Sequence, residues 1–191
     1  NIALNRTYNP GETLDVKIYY RRKEVTDMAF YSLGGAVFTN CEPDGSRNWY
    51  PCWDKPNDKA TMDLTAKVPS NVRLGSNGRL NDSLVSGDTI LYHWVSRDPM
   101  ATYLIAIGGA VNYNIDIIYW HKISNQNDSI PIRFYWSFGD DYQQVLNVEN
   151  KIVSMTNYFS QRLCEHPFEK NGFASFNAMP GGMENQTLTF Y

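Results

Sequence analysis

Two adjacent glycines and a nearby glutamate are the residues of this sequence whose types and spacing best fit a binding site. They lie near the C-terminal end, in the run Met179-Pro180-Gly181-Gly182-Met183-Glu184-Asn185. Glycine leaves the backbone bare, so another chain can approach it closely. Because β-forming residues follow at 187–191, the pattern predicts an edge strand that binds an extended peptide, with Glu184 holding a cationic group. The same residues also fit a glycine turn, a core methionine and a surface glutamate.

The histidines of the sequence do not form a recognisable catalytic or metal site. His93, His121 and His166 are far apart, and none lies in the His-Glu-x-x-His spacing of a zinc site. His93 and His121 are most simply strand residues. The sequence contains neither a Gly-x-Ser-x-Gly elbow nor a phosphate-binding loop. We therefore expect no catalytic residue and no metal ligand within this chain.

The three cysteines, Cys41, Cys52 and Cys164, are an odd number and match no metal-binding spacing. One disulfide with a free thiol and three buried thiols both fit the sequence. Cys52 lies between Pro51 and Trp53 with no histidine nearby, which favours a packed thiol over a nucleophile. Neither the cysteines nor the Asn-x-Ser/Thr sequons decide the cellular compartment.

The composition is that of a soluble globular protein. The 191 residues are 42% hydrophobic and 19% charged, and no apolar run approaches the length of a membrane span. A net charge of −3 gives no electrostatic reason to expect a nucleic-acid partner. The sequence opens without an initiator methionine and ends inside a strand-like run. We therefore expect a fragment of a longer protein, cut at both ends.

Alternating apolar and polar residues dominate the first two thirds of the chain and predict β-strands. The expected strands cover residues 14–20, 30–39 with a break at Gly34-Gly35, 62–68, 89–95, 101–107, 115–120 and 130–138. The expected turns lie at 77–78, 81–82 and 86–88. Closely spaced strands joined by glycine and asparagine turns are typical of an antiparallel sandwich or a curved sheet.

The period of the apolar residues changes after residue 140. Helical spacing connects Val145, Val148, Ile152, Met155, Phe159 and Leu163. This stripe predicts one helix of about five turns whose apolar face lies against the core. His166-Pro167 ends it. The chain is thus predicted to be mainly β over residues 1–139 and α+β over 140–191.

A second motif makes a family resemblance specific. The residues that carry it are Asn40, Ser46, Arg47, Pro51, Cys52, Asp54 and Pro56. In this order they resemble the segment Gln-x5-Ala/Ser-Arg-x3-Pro-Cys-x-Asp-x-Pro of the zinc aminopeptidases of the aminopeptidase N family, which includes leukotriene hydrolase. Gly181 to Asn185 is similar to the Gly-x-Met-Glu-Asn exopeptidase motif of that family. Shorter matches at 59–61, 68–69 and 76–78 extend the resemblance over essentially the whole chain.

The resemblance implies a fold and a pair of amine-binding carboxylates. Residues 1–139 would form most of a saddle-like antiparallel β domain without its first strands, and 140–191 would open a thermolysin-like catalytic domain. Glu184 matches the glutamate that binds the α-ammonium of the substrate. Glu42 is the best match for its partner from the β domain, and Asn40 stands where many relatives carry glutamine. Two such carboxylates hold an ammonium by charge-assisted hydrogen bonds but reject a neutral mid-chain amide.

The resemblance also assigns roles to the neighbouring residues. Gly181 and Gly182 would bind the peptide backbone near the scissile bond. Met183 fits the lining of the pocket for the first side chain and a core position equally well. Arg47 and Asp54 are expected to pair with each other or to cap loops rather than to touch substrate.

A cofactor and a partner follow from the same resemblance. The expected cofactor is zinc, bound by a His-Glu-x-x-His and a later glutamate downstream of residue 191. The expected partners are peptides with a free N-terminus, and the intact protein would be an exopeptidase. Two alternatives stay open: a non-catalytic relative that serves as a protein-binding scaffold, and the epoxide-hydrolase activity of one branch.

Overall fold

Three β-sheets and one long helix make up the structure, a computed structural model that describes residues 3–23, 29–137, 139, 142–176, 179 and 181–191. The strands are β1 (Phe30–Leu33), β2 (Ala36–Thr39), β3 (Ala60–Pro69), β4 (Val72–Ser76), β5 (Arg79–Ser86), β6 (Thr89–Met100), β7 (Ile107–Val111), β8 (Asn114–His121), β9 (Ser129–Trp136), β10 (Asn171–Ala174) and β11 (Thr189–Phe190). The helix, α1, covers Tyr142–Arg162. The predicted class, mainly β followed by α+β, is confirmed.

The first sheet has the antiparallel order β1-β2-β7-β4. The predicted break at Gly34-Gly35 is the turn between β1 and β2. The strand predicted over 101–107 is wrong except at its last residue, because Thr102–Leu104 form a 3-10 turn and β7 begins only at Ile107. Strand β4 was missed, since its Gly75 and Ser76 interrupt the alternation.

The second sheet is antiparallel, with the long strand β6 between β3 and β5. The strands predicted over 62–68 and 89–95 are confirmed. The turn predicted at Asn81-Asp82 is wrong, because both residues lie in β5, where the register shifts between Leu80 and Asp82. Such a bulge leaves one residue out of the regular strand pairing, so polar residues that are typical of turns can lie within a strand.

The strand predicted over residues 14–20 is also wrong. In the described part of the chain these residues pair with no strand, and their apolar side chains are exposed. Alternation shows that a segment suits the face of a sheet, but a strand forms only where a neighbour accepts its hydrogen bonds.

The third sheet has the order β11-β10-β9-β8 and supports the helix. Strands β8 and β9 are antiparallel, whereas β10 runs parallel to both β9 and β11. This sheet crosses the predicted domain boundary at residue 139, which stays a prediction. None of the helices among the described residues is long and apolar enough to span a membrane.

Helix α1 confirms the predicted helix over Val145 to Leu163 to within a few residues. The prediction that its whole apolar stripe faces the core is wrong. Val145 is buried against the third sheet, with Ile152 and Val153 packed beside it. The other members of the stripe are exposed, namely Val148, Met155, Phe159 and Leu163. The pattern identified an apolar face, but the face that packs on the sheet is rotated away from it.

One aromatic core joins the first sheet to the third and positions the C-terminal motif. Phe38 of β2 stacks on Phe176 at a ring distance of 4.8 Å, and Phe176 meets Phe190 of β11 edge-on at 5.1 Å. A Cβ at Gly108 of β7 would lie 2.8 Å from both the Phe176 and the Phe190 rings, so this strand needs glycine there. Met183 belongs to the same buried cluster.

Candidate functional site

The glycine pair lies on the open side of strand β11, at the edge of the third sheet. The Met183 N–H donates to the Phe190 carbonyl and the Phe190 N–H donates to the Met183 carbonyl, both at 2.9 Å. Gly181 and Gly182 precede this bridge and are exposed. A Cβ on Gly181 would meet no atom of the described residues within 4 Å, so none of them covers the backbone here. Strand β11 is an edge strand, as predicted, but it covers only Thr189–Phe190, and the two glycines lie beside it rather than within a strand. The role of this edge in binding a peptide stays a prediction.

The side chain of Glu184 is exposed at this edge, between two buried neighbours. Met183 is 4% exposed and Asn185 is 3% exposed. The Met183 side chain is part of the core, and its role as a pocket-lining residue stays a prediction. In the part of the chain that the structure describes, the Glu184 carboxylate has neither a hydrogen-bond donor nor a cation beside it. The Asn185 side-chain nitrogen is buried there without an acceptor.

The second predicted carboxylate follows strand β2. Glu42 is exposed, and a cis peptide bond joins it to Pro43. Asn40 is half-buried, and its N–H donates to the Ala29 carbonyl at 2.9 Å. Phe38, four residues before Glu42, and Met183, one residue before Glu184, belong to the same buried cluster. The two segments that carry the predicted carboxylates are therefore attached to one core. The convergence of Glu42 and Glu184 on one ligand stays a prediction.

The loop after Glu42 is held by the ion pair that the sequence predicts. The Arg47 Nε and backbone N–H both donate to Asp54 Oδ2, at 3.2 and 3.1 Å, and Thr102 Oγ1 donates to Oδ1 at 2.9 Å. Burial by itself would raise the pKa of Asp54, but these hydrogen bonds outweigh it and the pKa lies below its usual value. The pair therefore orders the loop, as expected.

All three cysteines are free thiols in three different surroundings. Cys41 is buried and donates to the Ala29 carbonyl at 3.6 Å, Cys52 is half-buried, and Cys164 is exposed. Burial, followed by the nearby charge of Asp54, raises the pKa of the Cys52 thiol. Cys52 is thus a packed thiol rather than an activated nucleophile. Both arrangements that the sequence left open are wrong, since there is no disulfide and one thiol is exposed.

Within the described residues, the donor side chains are not arranged to hold a zinc ion. His93 lies in β6 between Asp63, at 2.9 Å, and Asp82, at 3.1 Å, while His121 ends β8. Over the described ranges, no three histidine, cysteine or acidic side chains come together as metal ligands. Three or four such ligands are what a zinc site requires.

A buried asparagine that sequence reasoning passed over links the β domain to the motif. Asn77 is fully buried, and its Nδ2 donates to the carbonyls of Leu104, at 2.8 Å, and Gln186, at 2.6 Å. Its Oδ1 accepts the Ala106 N–H at 2.6 Å. The sequence predicted a turn at this Asn-Gly pair and a short family match at 76–78, but it assigned no role to Asn77, because its partner at Gln186 is 109 residues away.

Comparison with known proteins gives the family. The peptidase M1 N-terminal domain matches residues 2–104. The chain belongs to the peptidase M1 family. It is 30% identical over 158 residues to aminopeptidase M1 of Arabidopsis thaliana, and 26% identical over 163 residues to a leukotriene A-4 hydrolase homolog of Botryotinia fuckeliana. These matches cover 80% and 81% of this peptidase M1 chain but only 17% and 23% of the relatives.

Solved structures share the fold. Aminopeptidase A of Legionella pneumophila, in complex with aspartic acid, superposes with a TM-score of 0.74 at 19% identity over 86% of this chain and 19% of its own. An M1 zinc metallopeptidase of Deinococcus radiodurans, bound to a Tyr-Ser-Ala substrate, superposes with a TM-score of 0.71 at 19% identity. That match covers 84% of this chain and 36% of the metallopeptidase chain. The peptidase M1 chain thus spans about a fifth of the length of the first relatives.

Proposed function

We propose that this chain supplies the amine-anchoring and peptide-backbone-binding part of a zinc-dependent aminopeptidase that removes N-terminal residues from peptides. Residues 1–139 would be its N-terminal β domain, and 140–191 the start of its catalytic domain. The observation that carries the proposal is the open edge at Gly181-Gly182, directly beside an exposed glutamate without a partner in the described residues. Family membership gives the reaction class.

Glu184 and Glu42 would bind the α-ammonium of the substrate. A carboxylate accepts charge-assisted hydrogen bonds from an ammonium, and these are about twice as strong as neutral ones. A peptide bond in mid-chain offers no positive charge, so the same pair leaves it unbound. Asn40, next to Glu42 in the same loop, would add a neutral contact. This selectivity is what an exopeptidase requires.

Gly181 and Gly182 would bind the backbone of the substrate by strand addition. Their position at the edge of β11 lets an extended peptide lie alongside without a side-chain clash. Met183 anchors this segment from below, since it is buried beside Phe190 and exchanges two backbone hydrogen bonds with it. A substrate would thus meet an edge whose backbone is fixed at Met183.

Zinc enters this proposal only through residues outside the chain, because the donor set of the described residues does not fit it. In a zinc peptidase the metal activates the water that attacks the peptide bond. What these residues contribute is binding: Glu42 and Glu184 hold the amine, and the glycine edge orients the backbone.

Kinetics of the full-length protein test this proposal. We expect Glu184→Gln to lower kcat/KM for peptides with a free amine by about ten- to a hundredfold, since a charge-assisted contact of this kind is lost. Glu42→Ala should have a similar or smaller effect. N-acetylated peptides should be poor substrates of the unmodified protein and should gain relative to free-amine peptides in both variants.

Glu165→Gln is the matched control, because it makes the same chemical change in a residue hydrogen-bonded to Ser124 beyond helix α1. Variants at Glu42 and Glu184 that behave like this control would contradict the amine-binding assignment. A full-length protein that binds zinc and peptides but turns over none of them would favour the scaffold instead.

A further inference from the structure

Asn77 joins two distant segments through three side-chain hydrogen bonds. Both of its N–H groups and its oxygen are engaged, and two of the three partners lie on the segment that leads into β7. The third is the Gln186 carbonyl, two residues after Glu184. Buried polar side chains that are fully satisfied in this way fix one arrangement of the backbone.

The next residue adds a second link to the same segment. The Gly78 N–H donates to Thr187 Oγ1 at 2.8 Å. Gly78 has a φ of +69°, and a Cβ there would lie 2.0 Å from the Val95 carbonyl, so no other residue fits. Thr187 itself has a φ of +65° and is buried. Its strained conformation persists only because the surroundings hold it.

A buried lysine holds Ser76, the residue before this asparagine-glycine pair. Lys170 is fully buried, and its Nζ donates to the Ser76 carbonyl at 2.7 Å. The Ser76 hydroxyl donates in turn to the Ala106 carbonyl at 2.7 Å. The residues 76–78 are therefore fixed to the first sheet and to the segment before β10, independently of the motif that they contact.

We propose that Asn77 is a positioning residue for Glu184. The inference rests on the proposed function of Glu184 as the amine-binding carboxylate. The Glu184 side chain is exposed and has no partner of its own in the described chain, so its place is set by its backbone. That backbone is held on one side by the bridge between Met183 and Phe190, and on the other by the links from Asn77 and Gly78 to Gln186 and Thr187.

The chemistry requires such a clamp because an ammonium is held by short, directed hydrogen bonds. A carboxylate on a loose loop must be ordered when the ligand binds, and this ordering lowers affinity. A carboxylate held beforehand avoids the loss. Releasing the loop should therefore weaken ligands with an ammonium and leave matched ligands without one unaffected.

Binding of L-tryptophan and N-acetyl-L-tryptophan to the full-length zinc-loaded protein tests the inference by calorimetry. The two probes differ in the ammonium, and neither needs turnover. We expect Asn77→Ala to reduce the affinity ratio between them by about three- to tenfold, as expected for lost buried hydrogen bonds. Thr187→Val, which removes only the hydroxyl that accepts the Gly78 N–H, should act in the same direction, and Thr187→Ser should restore the ratio.

Two reference variants separate the possible outcomes. Tyr92→Phe removes a buried hydrogen bond to the Val72 carbonyl, outside the motif, and should leave the ratio unchanged. Glu184→Gln should abolish most of the ratio. If it does and neither Asn77→Ala nor Thr187→Val changes the ratio, the positioning role is contradicted. If Glu184→Gln leaves the ratio intact, the proposed function fails, and the inference fails with it. If Asn77→Ala does not fold, the comparison of Thr187→Val with Thr187→Ser tests the positioning role instead.

Discussion

At the scale of single residues, the most unusual group is the buried amine of Lys170. Its Nζ has the Ser76 carbonyl as acceptor and lies 5.1 Å from the centre of the Trp94 ring. Burial, with the positive charge of Arg133 second, lowers the pKa of Lys170 well below its usual value. A lysine in such a place makes folding depend on pH.

The direction of this dependence follows from the lowered pKa. Between the folded pKa and the unfolded value near 10.4, the unfolded chain binds more protons, so stability rises with pH by about 1.4 kcal/mol per unit. We expect thermal unfolding to show that the stability of the unmodified protein rises relative to that of Lys170→Met between pH 7 and pH 10. The control is Lys67→Met, at an exposed position of β3, and its difference from the unmodified protein should stay flat. A flat difference for Lys170→Met would contradict the lowered pKa.

Among secondary-structure elements, helix α1 shows which features a periodic pattern predicts and which it does not. The spacing of apolar residues predicted the helix and its length. It did not predict which residues face the third sheet, because Val153 and Asn157, outside the stripe, lie on that side. Asn157 reaches the sheet through a hydrogen bond from Trp120 Nε1 at 2.7 Å. The spacing of apolar residues cannot reveal a polar side chain that faces the sheet.

Two valines of this helix give a matched test of the packing. Val145 is 5% exposed and Val148 is 45% exposed, so the same change to alanine removes buried atoms only at Val145. We expect Val145→Ala to lower the free energy of unfolding by about 1–3 kcal/mol, and Val148→Ala by less than about 0.5 kcal/mol. Chemical denaturation measures both. An equally large loss of stability from both changes would mean that the helix packs through its predicted stripe.

For the whole molecule, local signals were predictable from the sequence and distant pairings were not. Alternation located β3, β8 and β9, and the pairing of Arg47 with Asp54, seven residues apart, was expected within one loop. Residues 14–20 carry the same alternation but have no partner strand in the described chain. The links between Asn77 and Gln186 depend on how the sheets assemble, which no local pattern encodes.

The same holds for the candidate site. The residues of the glycine edge were recognised because their motif occurs together with the second motif at 40–56, since glycine and glutamate at this spacing also fit a turn and a surface residue. Their exposure, and the burial of Met183 between them, came only from the pairing with Phe190. The partnership of Glu42 with Glu184 joins two separate segments and rests on family resemblance.

At this scale we also expect residues 1–191 alone to bind no stoichiometric zinc and to show no peptidase activity, because the side chains that the structure describes form no zinc-ligand set. Metal analysis after dialysis checks this, together with an aminoacyl chromogenic substrate and circular dichroism to confirm folding. The full-length protein serves as the positive control. Tight zinc retention with turnover by the isolated 191 residues would contradict the expectation.

The most direct measurement is an experimental structure of the full-length protein with L-tryptophan bound. The central claim is that Glu42 and Glu184 hold one ammonium. We expect a carboxylate oxygen of each within about 3.2 Å of the ligand nitrogen, the range of a charge-assisted hydrogen bond, and the ligand lying beside Gly181 and Gly182. Carboxylates that point to different surfaces, or an ammonium bound by other residues, would contradict the claim.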